Sequence, residues 1–360
     1  MLAASASDFL RAHCGFDAVR SWIGSDLGYS PALWKQMAGL GWMGVALPER
    51  YGGAGLGATA LVSLVEPMGR ALLGSPFLAT SLASRLLLAL GDDAQKAAWL
   101  PKLASGEVIG TVALGDADGS WDLAAPSLVA EAVGDGFVFR GDKSFVPDAA
   151  AADVLLVSAR VDGTPAVFLV ERAQLAAGAL ERQSLVDETR RSHRVRLHGV
   201  KVPLNARLGG DATKALQGLA RLGTLLLSAE MAGGAAGVMD LTLEYLRTRK
   251  QFGKLIGGYQ ALKHPMVEIM LDVERSRSLL YAAATEFDAD APGAEIAVRM
   301  SKVQSGETFT HAADRAIQFH GAIGFTYECH AQLYFRRAQG AEYRFGDAAH
   351  HRKKLAELIL

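Results

Sequence analysis

Between Asp211 and Phe252 the chain reads ALQGLARLGTLLLSAEMAGGAAGVMDLTLEYLRTRKQF, nearly forty residues with apolar side chains at three- and four-residue spacing. A helix of that length is longer than an ordinary globular helix and belongs to a bundle, where neighbours cover it along its length. Two more long helical patterns follow, KHPMVEIMLDVERSRSLLYAAATEF and EIAVRMSKVQSGETFTHAADRAIQFHG. Residues 209–360 are therefore predicted to form a C-terminal four-helix bundle. The small residues Gly233, Gly234, Ala235, Ala236 and Gly237 suit close helix approach, at a local cost in helix stability. With a chain that is half hydrophobic, they predict burial at a subunit interface as well.

The same helical period runs through residues 1–107, in PALWKQMAGLGW, ALVSLVEPMGRALL and DDAQKAAWLPKLASG. Asp92 and Asp93 read as a helix start and Gly106 as its stop. Near Glu107 the character changes. LVAEAVGDGFVFRGDKSFV has strand composition, with Gly134-Asp135-Gly136 as a hairpin turn, and DVLLVSAR, AVFLV and RVRLHGVKV continue it. Residues 108–208 are predicted to form a middle antiparallel β-domain. No long helices separate these strands, which argues against a parallel α/β sheet. The fold class is α+β: helical domain, β-domain, helical bundle.

Chemistry concentrates in two stretches of the bundle. RKQFGKLIGGYQALKH, from Arg249, places a guanidinium, an amide and an aromatic ring within four residues, where the helical pattern stops at Gly253. AIQFHGAIGFTYE, from Ala316, sets Gln318 and His320 before Gly321, whose missing side chain lets another backbone approach. An arginine with amides suits a diphosphate, and a ring suits stacking on a flat heterocycle. Taken singly, each of these residues is better explained as a solvated helix end or a core ring. Jointly they point to a dinucleotide held without a glycine-rich Rossmann loop. GGAGLG at Gly52 does not follow a strand in a βαβ unit and is discounted as such a loop.

These segments, with two others, resemble the acyl-CoA dehydrogenase family over nearly the whole chain. GLGWMGVALPERYGGAGLG, Gly39 to Gly57, is similar to the family's first-domain signature, and Gly136 to Arg160 to its β-domain. RTRKQFGKLIGGYQALKH resembles its R-x-Q-F-G…Q motif. AIQFHGAIGFTYE resembles Q-x-x-G-G-x-G-[FY]-T, with Ala322 in place of the second glycine. The resemblance implies that Arg249, Gln251, Phe252, Gln260, Gln318 and Gly321 grip the pyrophosphate and adenine half of an FAD bound mainly by a neighbouring subunit. It also implies an acyl-CoA substrate, α,β-dehydrogenation, and an electron-transfer flavoprotein as acceptor.

The same resemblance exposes departures. The family's usual base is a glutamate in a Y-E-G-T loop after an R-D-A motif. Arg336-Arg337-Ala338 aligns with R-D-A, and Phe345-Gly346-Asp347 then stands where E-G-T would be. Phenylalanine is no base. A minority of the family carries the base on the long bundle helix, and spacing back from Arg249 puts that position at Gly223. Asp347 is the best remaining carboxylate for the catalytic role, with a helix N-cap before AAHHRKKLAEL as its alternative reading. Glu230 reads as a partner for a buried base, Glu342 as surface. On the ring side, T-E-P-x-x-G-S-D is replaced by GDADGSWD, and W-I-[ST] by Phe145-Val146-Pro147, so the hydroxyl expected near the flavin is absent.

This asymmetry resembles the family's two-chain, steroid-degrading type, in which one chain supplies base and flavin cradle and the other completes the adenine site. A self-sufficient homo-oligomer using Asp347, and a non-catalytic or acyl-CoA-binding subunit, are the alternatives. A net charge of −1 without a basic stripe excludes nucleic acid as an expected partner. Mean hydropathy is +0.16, yet no run is read as membrane-spanning and no signal peptide is read at the N-terminus. Cys14 and Cys329 fit no ligand spacing, and His350-His351 lack a third ligand and read as a solvated basic face, so no metal is expected. A reduced cytoplasm is the expected compartment.

Overall fold

A computed structural model describes all residues, Met1–Leu360. They form two compact units. One comprises Met1–Ser21, Ala58–Leu73 and Thr224–Leu360, and the other Trp22–Gly57 with Gly74–Gly223. The N-terminal helices are thus shared out, some packing with the bundle and others with the sheets.

In the sheet-containing unit lie helices α3 (Pro31–Gly39), α5 (Phe77–Leu90) and α6 (Asp93–Ala104); α1, α2 and α4 are Leu2–His13, Phe16–Ile23 and Ala58–Arg70. Asp92 starts α6 through a reciprocal cap: Gln95 N–H donates to its carboxylate at 2.7 Å and its own N–H donates to Gln95 Oε1 at 2.9 Å. Gly106 stops the segment at φ +71°, and the Trp34 indole of α3 donates to its carbonyl at 2.9 Å. Both ends agree with the sequence reading.

The strands are β1 (Gly110–Ala113), β2 (Val129–Val133), β3 (Gly136–Arg140), β4 (Asp142–Pro147), β5 (Val154–Val161), β6 (Thr164–Glu171), β7 (Leu180–Arg182), β8 (Ser192–Arg196) and β9 (Lys201–Pro203). β2 and β3 form the expected hairpin around Gly134-Asp135, with Val133 opposite Gly136. β5 pairs antiparallel with β6 from Val154↔Glu171 to Val161↔Thr164. β4, β8 and β7 form a separate three-stranded sheet. Antiparallel pairing dominates as expected, with one correction: β5 runs parallel to its neighbours β1 and β2, Gly110 opposite Val154 and Val129 opposite Arg160. β5 follows neither strand directly, so no tight turn dictates their direction. Phe137 and Phe139 meet Phe168 edge-on at 5.1 and 5.2 Å in the core between the strands.

The other unit holds the long helices. α7 runs from Ala212 to Thr248, α8 from Gln260 to Asp288, α9 from Ala294 to His320, α10 from Ala331 to Glu342 and α11 from Ala348 to Ile359; α7 belongs to this unit from Thr224 onward. α7 contains a window long and apolar enough to cross a membrane, contrary to the sequence reading, but 94% of that window is buried inside the protein. Its glycine run is used within the chain rather than offered to a partner. A Cβ on Gly233 would run into the Glu66 carbonyl of α4, and one on Gly69 of α4 into the Glu230 carbonyl of α7. Gly234 seats the Phe309 ring and Gly237 the Tyr334 hydroxyl. Helix α4 is further tied to α8: Glu66 accepts from Arg277 Nε at 2.5 Å and from the Tyr281 hydroxyl at 2.6 Å. Asp288, at the end of α8, accepts the free Ala58 and Thr59 N–H groups at the start of α4.

Candidate functional site

The end of α7 is followed by a two-residue hairpin, β10 (Lys250–Gln251) against β11 (Lys254–Leu255). Phe252 and Gly253 make its turn, both at positive φ, +53° and +80°. A tight hairpin of this hand needs that backbone at both central positions, and it leaves the Phe252 ring 91% exposed. Arg249, Gln251, Gln260 and Gln318 are all exposed, and none of their side chains has a partner within the chain. Tyr259 supports the hairpin from beneath: its hydroxyl donates to the Gln251 carbonyl at 3.3 Å, and Lys254 lies over its ring at 4.1 Å.

The second stretch is brought to the first by one contact. Tyr245, one helical turn before Arg249, stacks on His320 with centroids 4.3 Å apart, and its hydroxyl donates to the His320 carbonyl at 3.3 Å. His320 is buried, which pushes its imidazole pKa down, and its Nδ1 lies 2.7 Å from the Ala316 carbonyl. The ring is thus held in place between Tyr245 and the Ala316 carbonyl. Gly321 ends α9 at φ +64° and is exposed. The close backbone approach falls at Gly324, where a Cβ would strike the Ile317 carbonyl, while Ala322 points outward. Ile323 and Phe325 are exposed beside it. Tyr245 and His320 thus join the end of α7 to the end of α9, while Gln260 begins α8.

The connection between α10 and α11 has no free carboxylate. Asp347 caps α11, accepting His350 N–H at 2.8 Å. Phe345 holds φ +57° and Gly346 φ +102°. Glu342, read from sequence as surface, is half-buried and accepts Ala348 N–H at 2.9 Å. His351, read as part of a solvated face, is buried. Its Nδ1 lies 3.2 Å from Arg299 Nη1, and burial with the nearby Lys302 and Arg299 charges pushes its pKa down to about 3. The helical period explains the error: position 351 falls on the stripe that faces α9. Glu230 pairs with Arg337 at 3.2 Å, both side chains 1% exposed, which matches its structural reading and leaves it no freedom as a base. No cluster of three or more metal-ligating side chains occurs.

In the sheet-containing unit, Lys143 is buried against Asp116 at 2.7 Å and donates to the Leu114 carbonyl at 3.1 Å. Burial pushes the Lys143 amine down, and Asp116 opposes that shift. Between these partners Gly115 has no side chain, and a Cβ there would sit 2.6 Å from the Ser144 carbonyl. Phe145 lies on a bulge of β4 at φ +55°, half its ring in solvent, with its N–H bonded to Gln183 Oε1 at 2.9 Å. The Pro147 carbonyl accepts the Thr111 hydroxyl. Sequence reasoning missed Lys143, Asp116, Gln183, Tyr245 and Lys302. The available signal was a charge on an apolar period, as at Lys302.

The profile of the acyl-CoA dehydrogenase N-terminal domain matches residues 1–107, and that of the C-terminal domain matches residues 214–360. The chain is 31% identical over 346 residues to the acyl-CoA dehydrogenase IpdE2 of Mycobacterium tuberculosis, covering 95% of this chain and 91% of that one. The chain belongs to the acyl-CoA dehydrogenase family. Among solved structures, a variant of the Tcur3481–Tcur3483 steroid ACAD matches with a TM-score of 0.89 and 30% identity over 99% of this chain and 96% of that chain. The ChsE4–ChsE5 complex of Mycobacterium tuberculosis matches with a TM-score of 0.88 and 27% identity, covering 99% and 95%. Acyl-CoA dehydrogenases are FAD-dependent and act on a CH–CH bond of a CoA thioester.

Proposed function

We propose that this chain is the adenine-side subunit of a two-chain acyl-CoA dehydrogenase. Arg249, Gln251, Phe252, Gln260, Gln318 and Gly321 would hold the pyrophosphate and adenine of an FAD seated mainly in the partner. The observation that carries the reading is an asymmetry within one chain. Four polar side chains and a ring are exposed and unspent around the ends of α7 and α9 and the start of α8, whereas the ring-side positions do not fit a flavin. Gly115 supplies no hydroxyl and has no room for a side chain. Pro147 supplies no N–H donor.

When bound, FAD supplies the acceptor for the β-hydride, and electrons leave to an electron-transfer flavoprotein. This chain's own residues neutralise the diphosphate and cover the heterocycle. Proton abstraction needs a carboxylate within hydrogen-bond reach of the α-carbon, and on this reading the partner provides it. The two-chain complexes among the similar structures support it. Domains at 1–107, 108–208 and 209–360, and a cytoplasmic, membrane-free location, belong to the same proposal. The test is co-expression with a motif-complete homologue. The chain alone should purify colourless and inactive, and the pair yellow and active on an acyl-CoA. A yellow single chain that dehydrogenates a thioester would establish the homo-oligomeric alternative with Asp347.

A further inference from the structure

Residues 343–347, which join α10 to α11, are held more tightly than a surface connection needs. Glu342 is the last residue of α10, and its carbonyl accepts Lys302 Nζ at 2.9 Å from the middle of α9. The Glu342 carboxylate then reaches forward to Ala348 N–H at 2.9 Å, while Asp347 takes His350 N–H at 2.8 Å. From below, Gly346 leaves no space: a Cβ there would meet His350 at 2.6 Å and His351 at 3.0 Å. His351 is in turn fixed by Arg299, whose guanidinium is held by Glu295 at 2.7 Å. The result is a phenylalanine at positive φ, a conformation that a bulky residue leaves unless its surroundings impose it.

Lys302 is the unexpected member. It is 1% exposed, in a helix face of Ser301, Ser305 and Gly306. Its one hydrogen bond goes to a neutral carbonyl, not to a carboxylate. Burial pushes the amine down to about 8, against the pull of Glu342 and Asp347. A buried amine in that setting costs folding free energy, where a methionine of similar length would not. A cation at the C-terminal end of α10 does favour the carbonyls exposed there. That benefit is local to the turn.

We propose that Lys302 is a positioning residue, kept at a cost to global stability because it fixes the α10–α11 turn and presents Phe345 in its left-handed conformation. The turn is the one in which the family carries its base, and on the two-chain reading above it keeps its shape here without that chemistry. Lys302 touches neither thioester nor flavin; it acts through the Glu342 carbonyl.

The test compares Lys302→Met with Lys302→Gln in the full chain co-purified with its partner. In Lys302→Met, amide exchange at residues 343–350 should accelerate at least tenfold, with the melting temperature unchanged or raised. Lys302→Gln, which keeps a donor toward the carbonyl, should restore most of the protection. Exchange that is unchanged at 343–350, or that rises evenly through α7, α8 and α9, overturns the proposal. Should Lys302→Met not fold, Lys302→Leu removes the same donor with a shorter side chain, and its exchange at residues 343–350 decides. If the unaltered complex is colourless and inactive, the two-chain reading fails, while the exchange pattern still decides the role of Lys302.

Discussion

Tyr245 and His320 lie 75 residues apart in sequence and stack at 4.3 Å, with 22° between their planes. Each sits one turn or less from a motif that nothing else in the chain joins to the other so directly. Stacked aromatic pairs contribute about 0.5–1.5 kcal/mol beyond their buried area. A double-mutant cycle with Tyr245→Leu and His320→Leu should therefore give a coupling of about 1 kcal/mol in urea unfolding. Additive effects would mean that the rings touch without holding the two turns together.

Arg249 is exposed, and its guanidinium has no partner within the chain. Arg249→Ala should leave the melting temperature within a degree or two, since nothing in the chain is lost. It should weaken flavin retention in the paired complex by about 10–100-fold, the worth of one charge-assisted bond to a diphosphate. Visible absorbance after gel filtration reads this directly. Full flavin content in the variant would remove Arg249 from the site.

The helical, strand and bundle regions were legible because their periods are long and uninterrupted, as in α7. The hairpin at Gly134 and the cap at Asp92 were legible because single residue types dictate them. What stayed hidden depends on contacts distant in sequence. The role of Gly233 could not be assigned to Glu66, 167 residues earlier by subtraction of the two numbers, rather than to a partner subunit. The parallel placement of β1 had no turn to announce it. In the candidate site, residue types identified the two motifs, but not the Tyr245–His320 clamp. His351 was misread because two histidines before three basic residues look solvated until α9 covers one of them.

Acid should destabilise this protein through its buried histidines. His351 falls to about 3 and His193 to about 4 in the folded chain, from 6.5. Both stay neutral when folded, so below about pH 6.5 the unfolded chain binds the extra protons, and stability falls as pH falls toward 4. At pH 5 each contributes about 2 kcal/mol of that loss. His351→Leu should flatten the pH dependence of the urea midpoint between pH 6.5 and 4.5. An unchanged slope would place a charged or solvated imidazole at position 351.

The Glu230–Arg337 pair ties α7 to α10, and Arg337 also donates to the Leu72 carbonyl at 3.3 Å. Removing one partner leaves a buried charge, at a cost of about 3–5 kcal/mol. Glu230→Gln should therefore lower stability sharply without altering which thioesters the complex accepts. A stable Glu230→Gln variant with lost turnover would instead make Glu230 part of the chemistry.

Asp347 separates the two catalytic readings. Its carboxylate caps α11 through His350 N–H at 2.8 Å, and asparagine caps a helix about as well as aspartate. Asp347→Asn should then leave stability unchanged, whereas Asp347→Ala should lose about 1 kcal/mol. If the partner carries the base, the paired complex with Asp347→Asn should turn over an acyl-CoA at the normal rate, because no acid–base group has been removed. If this chain carries the base, the same conservative change should lower kcat by several orders of magnitude while flavin content stays constant. Phe345→Glu sharpens the contrast. It restores a carboxylate at the usual position, yet should produce no dehydrogenation in the isolated chain, since Gly115 and Pro147 still offer a flavin ring no hydroxyl and no N–H donor. Activity appearing in Phe345→Glu alone would show that the ring side of this chain is intact and would overturn the two-chain reading.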